Sequence, residues 1–494
     1  MPKVLLTSVI RPFGGAGEGD SVGAELFHAQ VTRAQGMFSL RQVIRCWAID
    51  YLAENIDAPC TVLHYPSERE FVRELKKGGY DYVGINFVVA TFHKLRRMSA
   101  LVRKYAPGAK IVLGGYGTVL PDDLLAPFGD HVCREEGVGY LRRLFGENEN
   151  RPIRHPYAPI PSVRLYSYQQ PSVVAHLTAG LGCPNGCDFC CTSHFFNRQY
   201  VAFSKSGRDI YEEMRSMEEK ARARGDDLSG FILIDEDFFL QKKRAREFLE
   251  CVRQGGKPLS LMGFGSVKGL SQFTADEIAE MGFDTIWTAF EGKESGYHKL
   301  QGKSLQELYP ALKSRGVNIL SSMIIGFPYQ DRERVLREFG ELVELGPSLT
   351  QVLIYFAFPG TPFHRQVVAE GRYLPEYRDN PDLRRWDGFA MHFQHPHFEA
   401  KELEGLQKHL FQQDFEQLGP SIVRLVRVWL EGYKNLRNSE NPLLRARAER
   451  LWNVVRNALP GIVPAITFGP NRERRAEARK LFVEVRGMAG KLTL

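Results

Sequence analysis

The chain opens with short apolar runs separated by amphipathic stretches. Val4–Ile10, Thr61–His64, Tyr82–Val89, Lys110–Leu113 and His131–Cys133 read as strands. Between them, Leu40–Asn55, Glu68–Lys77 and Phe92–Tyr105 repeat apolar residues at helical spacing. Strands alternating with helices predict a five-stranded, doubly wound (Rossmann-like) α/β domain over residues 1–150. Ligands of such folds sit at the carboxyl ends of the strands, here the loops Arg11–Gly19, Ala90–Phe92, Gly114–Thr118 and Arg134–Gly137.

The next stretch, residues 151–172, follows neither period and is marked by Pro152, Pro156, Pro159, Pro161 and Pro171; it reads as a linker. A second strand–helix series then runs through Val173–Leu177, Gly230–Ile234, Ser260–Phe264, Thr285–Phe290, Asn318–Ile325 and Gln351–Phe356. Six such units predict a partial (β/α)6 barrel over residues 173–390, with its chemistry at the carboxyl ends of the strands. Residues 391–494 turn helical. Glu402–Phe415, Ser421–Leu436 and Leu443–Ala458 are the clearest helices, and Leu459–Pro470 reads as an apolar loop broken by Pro460, Pro464 and Pro470.

At 494 residues the chain exceeds the size of a single core, which agrees with two or three domains. Hydrophobic residues at 43% never form the run of roughly 20 that a membrane helix needs. The start does not resemble a secretory signal. Eight cysteines are too few for a disulfide scaffold in so long a chain, so a reducing, cytoplasmic setting is expected. Four of the eight crowd into positions 183–191, which points to a metal or redox site.

That segment runs Cys183-Pro184-Asn185-Gly186-Cys187-Asp188-Phe189-Cys190, a C-x3-C-x2-C spacing on a loop able to turn three sulfurs inward. Three readings are open from the residues: an iron–sulfur cluster, a Cys3His zinc site completed by His194, or a Cys187–Cys190 dithiol. Cys191 reads as a packed neighbour. Cys46, Cys60, Cys133 and Cys251 read as small buried hydrophobes.

The loop resembles the signature of the radical S-adenosylmethionine (SAM) superfamily, including an aromatic residue, Phe189, before the third cysteine. Residues 173–362 also keep that superfamily's order: Asp235-Glu236-Asp237 after the second strand, Phe290-Glu291-Gly292 after the fourth, Ile325-Gly326-Phe327-Pro328 after the fifth and Pro359-Gly360-Thr361-Pro362 after the sixth. The resemblance implies a [4Fe–4S] cluster on Cys183, Cys187 and Cys190, with SAM completing one iron and yielding a 5′-deoxyadenosyl radical. It implies catalytic positions for Asp235 and Glu291 near the SAM ribose or substrate, Ile325 near the adenine, and Phe189 near both cluster and adenine. A one-electron donor such as flavodoxin or ferredoxin is implied as a partner.

A doubly wound domain before such a barrel resembles the cobalamin (B12)-binding subclass. Gly114-Gly115-Tyr116-Gly117-Thr118 and Arg134-Glu135-Glu136-Gly137 stand where that subclass has its Gly-Gly and Arg-Gly-Glu-Gly elements, with Glu135 departing from the pattern. Gly114, Gly115, Gly117 and Thr118 are thereby implied to bind the corrinoid. No Asp-x-His-x-x-Gly motif is present, so no histidine is expected to ligate cobalt from below. The resemblance implies methylation of an unactivated carbon on a small molecule or lipid. Cyclisation, rearrangement or carbon–carbon coupling with the same cofactors is the alternative, and a non-catalytic zinc- or nucleotide-binding module is the reading from another class.

Charge adds one feature. The net charge is +7, yet from Ser421 onward 15 Lys/Arg face 6 Asp/Glu. Ser421–Leu436 is a basic helix with a broad apolar side, so peripheral contact with the inner face of an anionic membrane is one expectation. Packing of that side on the barrel is the other, and the one favoured. Nucleic acid is not expected as a partner: the chain lacks the second N-terminal cluster motif and the β-rich C-terminal module of the transfer-RNA methylthiotransferases.

Overall fold

The structure, a computed structural model, describes residues 1–11, 27–42, 45–166, 168–169, 171–378 and 382–492. Strands β1 (Val4–Ser8), β2 (Cys60–Leu63), β3 (Tyr82–Asn86), β4 (Lys110–Gly114) and β5 (His131–Val132) form a parallel sheet in the order β2-β1-β3-β4-β5. Helices α1 (Trp47–Asn55), α2 (Glu68–Lys77), α3 (Phe92–Tyr105) and α4 (Gly137–Leu144) connect and cover it. The order reverses beside β1, which opens the crevice used by ligands of doubly wound sheets. Of the expected Arg11–Gly19 loop, all but Arg11 lies outside the described residues.

The helix expected over Leu40–Asn55 begins only at Trp47. Residues 27–42 leave the first domain instead and run to the second. Phe27, Val31 and Leu40 are buried against Leu320, Leu349 and Leu425. Gln351 Nε2 donates to Gln30 Oε1 at 2.9 Å, and the Ser421 backbone N–H donates to Gln35 Oε1 at 3.0 Å. Long-range burial here overrides the local helical pattern.

The second sheet is curled. Strands β6 (Ile160–Pro161), β7 (Val173–Thr178), β8 (Leu228–Ile234), β9 (Leu261–Phe264), β10 (Phe283–Phe290), β11 (Asn318–Ile325) and β12 (Leu349–Ile354) pair in sequence order. All are parallel except β6, a two-residue antiparallel edge supplied by the proline-marked stretch. Outward residues such as Phe231, Leu233, Ile286 and Met323 share one core with the surrounding helices.

Of the C-terminal helices, α5 (Ala400–Leu418), α6 (Ser421–Leu436) and α7 (Pro442–Phe468) pack on the barrel, and α8 (Arg472–Leu492) packs on those three. The expected loop Leu459–Pro470 is a correction: α7 continues through it to Phe468. Apolar residues keep helical spacing there, and Ile462 and Ala465 are fully buried against α6 and α8, which outweighs the two missing N–H groups.

The apolar side of α6 is packed too. Val423, Val426 and Leu430 are buried in a cluster shared with α7 and α8. Arg424 is buried in an ion pair with Asp414 at 2.8 Å, Arg427 lies 3.5 Å from Glu477, and Arg447 and Arg450 both reach Asp284. Among the described residues no helix is long and apolar enough to cross a membrane.

Candidate functional site

The cysteine loop leaves the carboxyl end of β7, and its shape is held by hydrogen bonds. Ser193 Oγ donates to the Cys183 carbonyl at 2.6 Å and accepts from the Gly186 N–H at 2.9 Å. Gly186 has φ +70° with the Arg198 guanidinium 2.5 Å from where a Cβ would stand, so glycine is required there. Asn185 Nδ2 donates to Cys183 Sγ at 3.3 Å and to Asp237 Oδ2 at 3.1 Å, tying the loop to the end of β8.

All eight cysteines are free thiols. Burial pushes Cys183 up to about 11 and Cys187 up to about 12, with the neighbouring carboxylates and thiols adding to the shift. Buried thiols of this kind lose their protons to a metal rather than to water. Among the described residues no three His, Cys, Asp or Glu side chains are drawn together around a single-ion position. The three sulfurs are nonetheless close enough to perturb one another's ionisation. The His194 ring is taken by the Cys187 carbonyl at 3.1 Å. The donor set fits a cluster that needs three thiolates.

Phe189 sits edge-on to Tyr297 and Tyr355, with ring centroids 5.4 and 5.7 Å away. Both tyrosine hydroxyls donate to Asp188, at 2.6 and 3.0 Å. Lys299 Nζ lies 5.4 Å over the Phe189 ring and donates to Glu291 Oε1 at 2.6 Å. Burial works to lower the Lys299 pKa, but Glu291 and the Cys187 sulfur raise it above the ordinary lysine value. Glu291 is buried and its Oε2 has no partner, a free acceptor beside the cluster loop. That orphan atom fits the hydroxyl or ammonium donors of SAM.

Asp235 is a correction. Its carboxylate is buried in an ion pair with Arg244 and accepts from Tyr200 O–H at 2.8 Å, so it braces the end of β8 and does not face the loop. Strand alternation turns the next residue the other way. Glu236, named only as part of the acidic triplet, is the carboxylate whose charge reaches Tyr116, Cys183, Cys190 and Cys191. Burial, with Asp235 beside it, raises it to about 7. The Ile325 side chain is fully buried in the barrel core, so anything it offers at the rim comes from its backbone, whose carbonyl accepts from the Tyr355 N–H.

A cleft of about 370 Å³ lies between the first domain and the barrel. Its deep end is an apolar slot between the sheet and α1 and α4, lined by Leu6, Ile49, Val112 and Leu141. Its mouth is framed by Gly114, Gly115 and Tyr116 on one side and Phe195 and Phe196 on the other. Tyr116 meets Phe195 edge-on at 5.1 Å. Both sequence elements reach this cleft, because Glu135, Glu136 and Gly137 line it as well.

Within the Gly-Gly element the roles divide. A Cβ on Gly114 would meet nothing within 4 Å, so this residue leaves room for a ligand. Gly115, at φ +88°, abuts the Phe87 carbonyl. Gly117 and Thr118 do not line the cleft, which corrects their expected contact: Gly117 packs on the Phe87 ring, and Thr118 Oγ1 donates to the Gly115 and Cys133 carbonyls. They shape the turn. An apolar slot beneath a mouth that Gly114 leaves open on one side fits the tail and edge of a corrinoid.

Residues 26–145 match a family model described as the B12 binding domain. The whole chain shares its fold with TsrM, a radical SAM methyltransferase from Kitasatospora setae solved with cobalamin and a [4Fe–4S] cluster. That likeness has a TM-score of 0.59 at 15% identity and covers 93% of this chain and 100% of that one. The same enzyme with tryptophan substrate and the SAM analogue aza-SAM gives 0.58 at 16% identity, over 94% and 100%. At such identity the likeness establishes the fold. A protein of Pyrococcus horikoshii named as an uncharacterized methyltransferase is 22% identical over 342 residues, 62% of this chain and 73% of that one.

Proposed function

We propose that this chain is a cobalamin-dependent radical SAM methyltransferase acting on a small molecule. The observation that carries the reading is the meeting of two sites: the cysteine loop and the Gly-Gly turn close on each other where Tyr116 packs against Phe195. The B12 binding domain match, the fold shared with TsrM and the relative named a methyltransferase support it.

When bound, the cluster, SAM and cobalamin supply one-electron cleavage of a sulfonium and a transferable methyl group. The protein's part is to hold and orient. Cys183, Cys187 and Cys190 would hold the cluster, on a loop fixed by Asn185 and Ser193. Glu291 Oε2 would accept from SAM, while Lys299 supplies a buried cation for a carboxylate. Phe189, clamped by Tyr297 and Tyr355, offers an apolar wall that excludes water. The slot beside Ile49 and Leu141 would take the corrinoid tail.

The acceptor we favour is an unactivated carbon, since a radical route is needed where the acceptor has no lone pair with which to attack a sulfonium directly. A lipid substrate had the basic helix as its support, and that helix is packed against its neighbours. An external one-electron donor such as flavodoxin or ferredoxin is required.

Anaerobically reconstituted protein given dithionite, cobalamin and SAM should release 5′-deoxyadenosine, and its Cys187→Ala variant should not. Fully iron-loaded protein that never cleaves SAM reductively would refute the proposal.

A further inference from the structure

A closed barrel of parallel strands ordinarily fills its own interior with layers of inward side chains. On β8, β9 and β10 the inward positions are left open, whereas inward residues of β7, β11 and β12 such as His176, Leu320 and Gln351 are buried. On β8 the outward Phe231 and Leu233 are buried, whereas the inward Ile232 and Ile234 are part-exposed. The same alternation recurs at Met262 and Phe264 on β9 and at Trp287 and Ala289 on β10. Each of these strands is flanked by a strand on both sides, and helices cover the outer face. Inward exposure at such positions means a space inside the barrel. Phe27 and Val31 pack against the barrel residues Leu320 and Leu349 and close its floor.

The wall of this lumen has a fixed aromatic face. Phe264 and Trp287 stack at 5.3 Å with 28° between their planes. Trp287 Nε1 donates to Ser322 Oγ at 2.5 Å, Ser322 donates to Gln351 Oε1 at 2.7 Å, and Gln351 donates to Gln30 at 2.9 Å. The ladder orients the indole and directs these donors into the protein, away from a ligand. No inward position of β8 to β12 carries a charged residue. A charged guest would therefore lose its water without gaining a counter-ion.

We propose that the guest of this lumen, a substrate on the reading of the function proposed above, is a flat, uncharged, conjugated ring system stacked on Trp287. A saturated ring of the same size fills the space but gains no stacking. A carboxylate on the ring finds no counter-ion among the inward residues of β8 to β12, and the Lys299 ammonium at the rim is paired with Glu291.

Equilibrium dialysis of the anaerobically reconstituted holoprotein, saturated with SAM and free of reductant so that the SAM site is filled, tests this with three probes, 2-naphthol, decahydro-2-naphthol and 2-naphthoate, after its iron and corrinoid contents have been measured. The aromatic alcohol should bind about fivefold or more tighter than either of the others, as a stacking contact requires. Trp287→Leu should remove that preference while iron and corrinoid stay bound, and Trp287→Phe should keep most of it. Equal binding of the saturated and aromatic alcohols, tighter binding of the naphthoate, an unaffected Trp287→Leu variant or no binding of any probe would overturn the pocket. Selective naphthol binding by protein that takes up neither iron nor corrinoid would uphold the pocket as a binding site and overturn the proposed function instead.

Discussion

Asn185 touches both a cysteine sulfur and the Asp237 carboxylate, so single residues around the loop can be separated by what they do. Alanine at Cys183, Cys187 or Cys190 should each abolish iron binding, whereas Cys191→Ala should retain it, as read by iron and sulfide analysis after anaerobic reconstitution. Gly114→Trp should abolish corrinoid uptake and leave iron in place, because its side chain enters open space, whereas Gly114→Ala should bind corrinoid normally. Gly115 is a poor test of the same idea, since any side chain there collides with the Phe87 backbone. The cysteines were legible because their spacing is local. Asp235 was misread because the facing of a residue at a strand end depends on where the alternation stops, which an acidic triplet does not reveal.

Histidine burial sets a pH dependence at the same scale. His392 is stacked on Trp386 at 4.1 Å, and burial lowers its pKa from 6.5 to about 3. The unfolded chain therefore binds a proton that the folded chain refuses between those values, and stability falls as pH drops from about 6.5 toward 3. The full effect is on the order of 5 kcal/mol for this one group. Denaturant titrations at several pH values should show the slope, and His392→Gln should reduce it without removing it, because burial lowers His155 and His176 over the same range. An unchanged slope in the variant would exclude His392 as its source.

At the scale of elements, most helices and strands could be placed from periodicity, and the misses share a cause. The 27–42 segment and the second half of α7 both take their conformation from partners far along the chain, which no local pattern reports. Helix α7 carries Pro460 on its exposed side, where the ring removes one helical hydrogen bond and crowds the preceding turn. Pro460→Ala should raise the stability of the protein by about 1–3 kcal/mol in thermal or denaturant unfolding. Destabilisation by that substitution would mean that the proline makes a contact the helix depends on.

Over the whole molecule, the two domains are joined by specific ties. The Tyr51 hydroxyl oxygen accepts from the Thr178 N–H at 2.8 Å beside the cleft, and Gln30 and Gln35 link the first domain to the barrel and to α6. The basic character of the C-terminal region is partly internal, since Arg424 and Arg447 are buried in ion pairs. Arg424→Glu should therefore destabilise the protein by about 3–5 kcal/mol, by leaving buried like charges beside Asp414. Its effect on sedimentation with anionic vesicles should be nil in the fraction that remains folded. The order of the two α/β units was legible from sequence, but their facing contact at Tyr116 and Phe195 was not, because it joins residues 79 positions apart across a domain boundary.

The most direct measurement is of contents: metal, sulfide and corrinoid analysis of protein reconstituted anaerobically with iron, sulfide and hydroxocobalamin, then freed of unbound material. The account predicts about four irons and one corrinoid on the same chain, with the iron lost in the Cys187→Ala variant and the corrinoid lost in Gly114→Trp. Stoichiometric zinc in place of iron, with no corrinoid retained, would contradict it.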